Sequence, residues 1–213
     1  MRKSVRRKQA GATIIEFTLS LMFLLPLLLG TLVFGFRLVE SQQVNQITRD
    51  LAHMYSRGVD FTTTGGTSEA ESLADQFGLT TTGNSVIIFS TITLMTASGC
   101  HAGTGNNTCN NLNQPVFESQ VAIGNATANG SFFGTPSSTG ALPATSGVSN
   151  NYSATLTAAQ MATNTWAVAN HFGNLVTLSS GQIAYMVEMI NNTPGLSIPG
   201  VTGLPQVYSR AIF

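Results

Sequence analysis

The chain has 213 residues, nine basic and nine acidic side chains and a formal net charge of zero at pH 7. This length accommodates one domain together with a membrane anchor. Five of the nine basic residues lie within the first eight positions, whereas only Glu118, Glu188 and Arg210 are charged from residue 76 onward. A basic tip on a nearly neutral body excludes a basic nucleic-acid-binding domain, so no nucleic-acid partner is expected.

A hydrophobic stretch follows the basic tip. Residues 17–36 contain no charged side chain. Twenty residues at about 1.5 Å each cover the roughly 30 Å hydrocarbon core of a bilayer. The residues that follow lack a clear small-residue cleavage pattern, which favours a retained transmembrane helix over a cleaved secretory signal. The cations before the span predict a cytoplasmic N-terminus and an exported body.

The helical pattern continues beyond the predicted span. Val44, Ile47, Leu51 and Met54 recur at steps of three and four and form one apolar stripe. Because no proline or glycine lies between Arg37 and Gly58, the sequence predicts that the helix of the span continues, as one helix from about residue 12 to about residue 57. The stripe needs a partner, which is either the sheet of this chain or the helices of neighbouring subunits, and both can apply at different points.

Two short helices are predicted by capping patterns. Ser68 lies three residues before Glu71, and Thr157 lies three residues before Gln160. This spacing is typical of a capping box, in which the two side chains bond to each other's backbone N–H groups. With glycines as stops, the predicted helices cover residues 68–78 and 157–173.

Four segments have the composition of β-strands. The first is apolar on both faces over residues 86–89, which predicts cover on both sides of the sheet. Strands separated by loops, after a long helix, predict an α+β fold in which that helix packs on a small antiparallel sheet with long polar loops. The four segments are residues 84–96, 116–124, 182–190 and 206–213.

Two polar loops are predicted, near residues 98–115 and 125–152. The first contains Cys100 and Cys109, and an even pair of cysteines in an exported, glycine-rich loop indicates a disulfide. A metal site would use these two residues and His101, but their spacing matches no familiar zinc pattern. The second loop is uncharged and rich in Gly, Ser, Thr, Asn and Pro, and its length is typical of functional or mobile loops.

The sequence contains no GxSxG, P-loop, dinucleotide-binding or HExxH motif. Glu118 and Glu188 lie on predicted strands and are interpreted as residues of a solvent-exposed sheet face rather than as a catalytic pair. We therefore expect a non-enzymatic protein without cofactor or metal. The competing hypothesis of a membrane-anchored hydrolase requires Glu118, Glu188 or His171 to converge around a pocket.

One carboxylate, Glu16, lies at the mouth of the hydrophobic stretch. A lone carboxylate at the centre of a membrane costs about 2.5–3.5 kcal/mol, and the cost falls near the interface, where the side chain can reach the headgroups. Lys8 is eight residues away. A backbone amine a few residues upstream, on this chain or on a neighbour, would compensate the negative charge better.

The segment "RRKQAGATIIEF", followed by a hydrophobic helix, resembles the class III signal of type IV pilin-like proteins. It is most similar to the TadE-like minor pilins, or pseudopilins, of the tight-adherence (Tad/Flp) system, over about residues 6–57. The resemblance implies that a prepilin peptidase cuts between Gly11 and Ala12, so that Glu16 becomes the fifth residue of the mature chain. It also implies that Glu16 and Phe17 form an assembly contact.

This resemblance implies a basic leader (1–11), a transmembrane helix (12–36), an exported helical extension (37–57) and an exported domain (58–213). The implied partners are the prepilin peptidase, other pilin or minor pilin subunits, the inner-membrane assembly platform and the lipid bilayer. The expected location is the inner membrane, with the N-terminus in the cytoplasm. The expected role is assembly of a pilus or secretion system that serves adhesion, biofilm formation or secretion. The alternative is a singly anchored receptor or adhesin that binds through the loop at 125–152.

Overall fold

A computed structural model describes residues 5–148, 150–192 and 206–213, with side chains from residue 13 onward in those ranges. The first four residues of the expected leader, and the side chains of residues 5–12, lie outside the described residues. The chain divides into two compact units. One contains the start of the chain up to Glu40, and the other begins at Ser41 and contains the sheet.

Helix α1 extends over Val5–Ser56 and continues through Pro26. The long N-terminal helix predicted from the apolar run and the stripe is thus confirmed. Within the first unit its large apolar side chains are exposed, from Ile14 to Val39, apart from a few positions. The described part, Thr13–Ser56, is long and apolar enough to cross a membrane.

Short helices and five strands follow α1. The helices are α2 (Thr64–Leu73), α3 (Ala97–Thr104) and α4 (Ala158–Thr163), with 3₁₀ turns at Asp75–Phe77, Thr165–Ala167 and Phe172–Asn174. The strands are β1 (Ser85–Leu94), β2 (Pro115–Gly124), β3 (Asn151–Thr155), β4 (Ile183–Asn191) and β5 (Val207–Ile212).

The strands form one antiparallel sheet in the order β3-β2-β1-β4-β5, which confirms the predicted α+β fold. Strand β1 is central, and in its register Ile88 lies between Ala122 of β2 and Glu188 of β4. A bulge between Thr91 and Ile92 leaves Glu118 of β2 without a register partner on β1. The central position explains why the first half of β1 is apolar on both faces and fully buried.

The second half of α1 covers one face of the sheet. Val44, Ile47 and Leu51 are buried in a cluster that includes Phe89 of β1 and Val187 of β4. Burying such side chains contributes about 1.5–3 kcal/mol each. The apolar stripe therefore has the sheet of its own chain as a partner.

Segments from the long connections cover the other face. Phe133 and Phe172 pack against Ile92, Phe117 and Met186 in a second buried cluster. The cover on both sides of β1 that its sequence predicts is confirmed. The uncharged tract after β2 contributes Phe133 to this layer, while most of its other described residues are exposed or half-buried.

Both predicted polar loops contain regular structure. In the first, the Thr96 side chain accepts a hydrogen bond from the Gly99 N–H, and α3 continues until Gly105, whose φ of 77° ends it. This N-cap stabilises a helix where the glycine content indicated a loop. The second loop ends in the edge strand β3, which begins at Asn151. Its polar sequence, NYSAT, gives no apolar alternation, so only pairing with β2 reveals it as a strand.

Helix α2 begins earlier than the sequence predicts. Its N-cap is Thr63, whose hydroxyl accepts from the Gly66 N–H at 3.2 Å, and Ser68 lies inside the helix. Gly78, with a φ of 59°, ends the following 3₁₀ turn and agrees with the predicted stop. The predicted start of α2 was wrong because two candidate N-caps, Thr63 and Ser68, lie close together in the sequence. The close packing of Gly66 against the backbone of Asp60 and Phe61 favours Thr63.

Helix α4 has the predicted capping box between Thr157 and Gln160. It is shorter than predicted, however, because it ends at Thr163 instead of near residue 173. Asn164 adopts an extended conformation with φ −92° and ψ 127°, and two 3₁₀ turns replace the rest of the helix.

Candidate functional site

The residues of the expected assembly contact lie on the exposed, apolar part of α1. Both Glu16 and Phe17 are exposed. In the described part of the chain, no hydrogen bond or ion pair to Glu16 is found, whereas the nearby Thr18 hydroxyl donates to the Ile14 carbonyl at 2.6 Å. The neighbouring hydroxyl is therefore satisfied within the helix, while the carboxylate is available to an external cation.

The expected cleavage site lies in the same helix. The backbone of Gly11 and Ala12 is helical, as part of α1. Residues four apart lie on the same face of a helix, with Cβ atoms about 5–6 Å apart. Ala12 and Glu16 are so spaced, and an amine at residue 12 would therefore be one turn from the carboxylate of the same chain.

Cys100 and Cys109 are joined in a disulfide, with their Cα atoms 5.4 Å apart. Cys100 is buried against Met95, Val116 and Ala162. No thiol remains free in the described chain, and no group of three His, Cys, Asp or Glu in that part of the chain has a geometry that would hold a metal ion. The cross-link holds α3 and the turn after it beside β2 and α4.

Glu188 is fully buried in β4, which corrects the interpretation of it as a solvent-facing sheet residue. One oxygen, Oε2, accepts from the Ser131 hydroxyl. The other, Oε1, accepts from the Phe132 N–H at 3.1 Å and from the Tyr208 hydroxyl at 2.8 Å. The alternation of β4 could not reveal this, because the residues that cover Glu188 come from a distant connection.

Burial dominates the electrostatics of this carboxyl. Loss of hydration raises the pKa of Glu188, while the three hydrogen bonds and the nearby Arg210 act in the opposite direction. The pKa of the Tyr208 phenol is also raised, mainly by burial and to a smaller extent by the neighbouring Glu188 carboxylate. Tyr208 therefore remains a hydrogen-bond donor, and Glu188 holds the turn at residues 131–132 against the sheet.

The three residues required by the hydrolase hypothesis do not converge on a cleft. A cleft of about 370 Å³ lies beside β5, and its lining residues are Gly130, Phe132, Ile190, Gln206, Tyr208 and Arg210. Glu188 lies beneath Tyr208 with both oxygens bonded, and Glu118 is half-buried at the bulge of β2. His171 is exposed and packs on Phe132, with ring centroids 5.6 Å apart.

Comparison with known proteins gives one result for the N-terminal segment. A family profile described as TadE-like protein matches residues 11–53. The matched segment begins at Gly11, includes Glu16 and Phe17 and ends at His53 in the second half of α1. No curated protein and no solved structure matches the chain. Residues 11–53 of the chain are therefore similar to TadE-like proteins.

Proposed function

We propose that the protein is a non-enzymatic, minor pilin-like subunit of a tight-adherence pilus or secretion system, and that it assembles through α1. The observation that carries the proposal is the TadE-like match, which begins at Gly11 and covers the exposed apolar helix. In this role α1 spans the inner membrane once, with the N-terminus in the cytoplasm and the sheet exported. Its partners are the prepilin peptidase, the assembly platform and other pilin subunits, and its role in the cell is adhesion, biofilm formation or secretion.

The first step of the proposed pathway is processing. A prepilin peptidase hydrolyses the peptide bond between Gly11 and Ala12 and leaves a free amine on Ala12. Mass spectrometry of the purified chain, after co-expression with such a peptidase, measures the new N-terminus. The expected mature chain begins at Ala12. An intact chain from Met1, or a cut near Gly35, would contradict the processing step.

The second step is assembly of processed helices side by side. The exposed apolar side chains of α1 supply the contact surface. Glu16 then pairs with the amine of Ala12 on a neighbouring subunit, which compensates the cost of burying the carboxylate and sets the axial register of the subunits. Before assembly, the amine of Ala12 on the same chain lies one helical turn from Glu16 and can compensate the negative charge of its carboxylate.

The test of this step compares Glu16→Ala with Thr18→Ala, a matched change two residues along the same exposed helix. Loss of one partner of a buried ion pair costs about 3–5 kcal/mol, so Glu16→Ala should lower incorporation into the pilus fraction at least about tenfold. Thr18→Ala should leave incorporation unchanged, because its hydroxyl bonds only to the Ile14 carbonyl. Both variants should still insert into the membrane.

Incorporation is measured by immunoblotting the sheared pilus fraction against the membrane fraction. If Glu16→Ala enters the pilus fraction as well as the unaltered chain, Glu16 has no register role. If neither the unaltered chain nor Glu16→Ala enters that fraction while both insert into the membrane, the protein is a singly anchored receptor or adhesin rather than a pilin-like subunit.

A further inference from the structure

The two edges of the sheet differ in how their backbone groups are satisfied. At the β3 edge, the Asn151 carbonyl accepts from the Thr145 N–H at 2.8 Å, and the Ser153 N–H donates to the Pro143 carbonyl at 2.9 Å. An isolated bridge between Ala144 and Tyr152 lies between these bonds. The uncharged tract of this chain thus closes the β3 edge against other strands.

Among the described residues, no further strand pairs with the β5 edge. Phe213 and Tyr185 exchange both of their backbone hydrogen bonds, each 2.9 Å long. In an antiparallel ladder such pairs alternate, so the N–H and C=O groups of Tyr208, Arg210 and Ile212 point away from β4. Within the described residues, none of these outward backbone groups has a hydrogen-bond partner. Three donors and three acceptors in one row are a template for an additional strand.

A cleft adjoins this edge on the face of the sheet that carries Glu188. Tyr208 and Arg210 of β5 line it together with Phe132, Ile190, Gly130 and Gln206. The Phe132 side chain is 60% exposed. In a strand added to β5, alternate side chains would project to this face and one of them would enter the cleft. Such pockets give specificity when backbone bonds give affinity.

Arg210 supplies a cation at this edge, directly opposite Glu188 of β4 in the ladder. Arg210 is the only basic residue after position 57, and it is exposed. Its guanidinium lies over the Phe133 ring, 5.8 Å from the centroid, which supports it from below. The Glu188 carboxylate beneath is occupied by its three donors. An acidic side chain on an added strand would therefore lie opposite an accessible cation.

We propose that β5 binds an extended segment of a partner protein as a further strand of the sheet, with an acidic side chain against Arg210 and an apolar side chain in the cleft. A second copy of this chain fits less well. The antiparallel register that uses all three outward residues of two β5 strands places one Arg210 directly opposite the other, and like charges in that position are destabilising. The closed β3 edge of a second copy offers no free strand.

The probe is a short synthetic peptide designed to bind as a β-strand. Threonines occupy one face of this strand, and leucine, glutamate and leucine occupy the other face in that order. Its binding to the full chain in lipid nanodiscs is measured by fluorescence anisotropy. A matched peptide carries lysine in place of glutamate. The glutamate peptide should bind more tightly than the lysine peptide, by up to about fivefold, which is the upper end of the range for a cross-strand charge pair.

The edge is tested by Ile212→Pro. Proline at this position removes an N–H that points away from β4, so the ladder with β4 is retained while the added strand loses a bond and meets the proline ring. The variant should keep the far-ultraviolet circular dichroism of the unaltered chain and lose at least about tenfold in affinity for the glutamate peptide. Undiminished binding by the folded variant would overturn the proposal.

Arg210→Gln provides a second variant, which needs no change of backbone. It should bind the glutamate and lysine peptides with equal affinity. If it retains the preference for glutamate, the proposed role of Arg210 is wrong. Dimers of the full chain that Ile212→Pro dissociates would assign the edge to a second copy instead. None of these measurements depends on processing at Gly11 or on Glu16, so they are independent of the pilus-assembly tests.

Discussion

Glu16 and Glu188 occupy opposite environments. Glu16 is exposed on an apolar helix, whereas Glu188 is buried and accepts hydrogen bonds from Ser131, Phe132 and Tyr208. The first carboxylate is available to a partner from another chain. The second is already satisfied, and it attaches the connection after β2 to the centre of the sheet. Because removing Glu188 would leave buried donors unpaired, it contributes to stability rather than to recognition.

The pH dependence of stability tests the burial of Glu188. Its pKa is raised above the ordinary value of 4.5, so at a pH between its unfolded and folded pKa values the folded chain holds the proton and the unfolded chain does not. The free energy of unfolding should therefore fall as pH rises through that interval. Thermal unfolding of the unaltered chain and of Glu188→Gln in a series of buffers measures this effect.

Glu188→Gln removes the titrating group while it retains an acceptor oxygen. The stability of the unaltered chain relative to this variant should be greatest below pH 4.5 and should decrease above it. Equal pH profiles for the two chains would show that Glu188 does not titrate differently in the folded state.

At the scale of elements, α3 and α4 form a small unit beside β2. A Cβ atom on Gly103 would collide with the carbonyl of Ala158, so glycine at this position permits the close approach of the two helices. The Asn111 amide donates to the carbonyls of Met161 and Asn164, at 2.7 and 2.8 Å. Because these helices are short, their own hydrogen bonds stabilise them little, and the disulfide supplies part of the constraint.

Replacement of both cysteines, Cys100→Ser with Cys109→Ser, should lower the free energy of unfolding by about 2–3 kcal/mol. The loss arises mainly because the unfolded chain regains the conformational freedom of the closed loop. Urea unfolding of the full chain in detergent measures it. The unaltered chain should lose the same amount when it is reduced. An equal midpoint for the oxidised and reduced chains would refute the stabilising role of the disulfide.

At the scale of the whole molecule, the second compact unit begins at Ser41, within α1. Its core needs the second half of that helix, since Val44, Ile47 and Leu51 are buried among the side chains of the sheet. The helix is thus shared, with an apolar, exposed part before Glu40 and a part in the core of the sheet unit afterwards. The TadE-like segment is therefore covalently continuous, through α1, with the sheet unit.

Two truncations test this division. A chain that starts at Ser41 should be soluble and should unfold cooperatively. A chain that starts at Val59 should lose about 5–9 kcal/mol from three buried side chains, which is comparable to the stability of a typical domain. Thermal unfolding by circular dichroism distinguishes the two. Cooperative unfolding of the shorter chain at the same temperature would contradict the role of α1 in the core.

Local pattern alone determined several features of this protein. The uncharged run and the stripe predict α1, the doubly apolar start of β1 predicts its cover on both faces, and the Gly11 to Phe17 segment predicts the TadE-like match. Each depends on residues a few positions apart, where helix and strand periodicity act. The Thr157 capping box belongs to the same group.

Only the tertiary structure decided the burial of Glu188, the strand character of β3 and the difference between the two sheet edges. Ser131 and Glu188 are 57 residues apart. Strand β3 is a strand because its backbone pairs with β2 and bonds to the tract at residues 143–145. Such pairings depend on which distant segments meet, and the periodicity of a single strand carries no information about them. Local sequence pattern therefore predicts the long N-terminal helix, whereas the surface of the sheet unit arises from long-range packing.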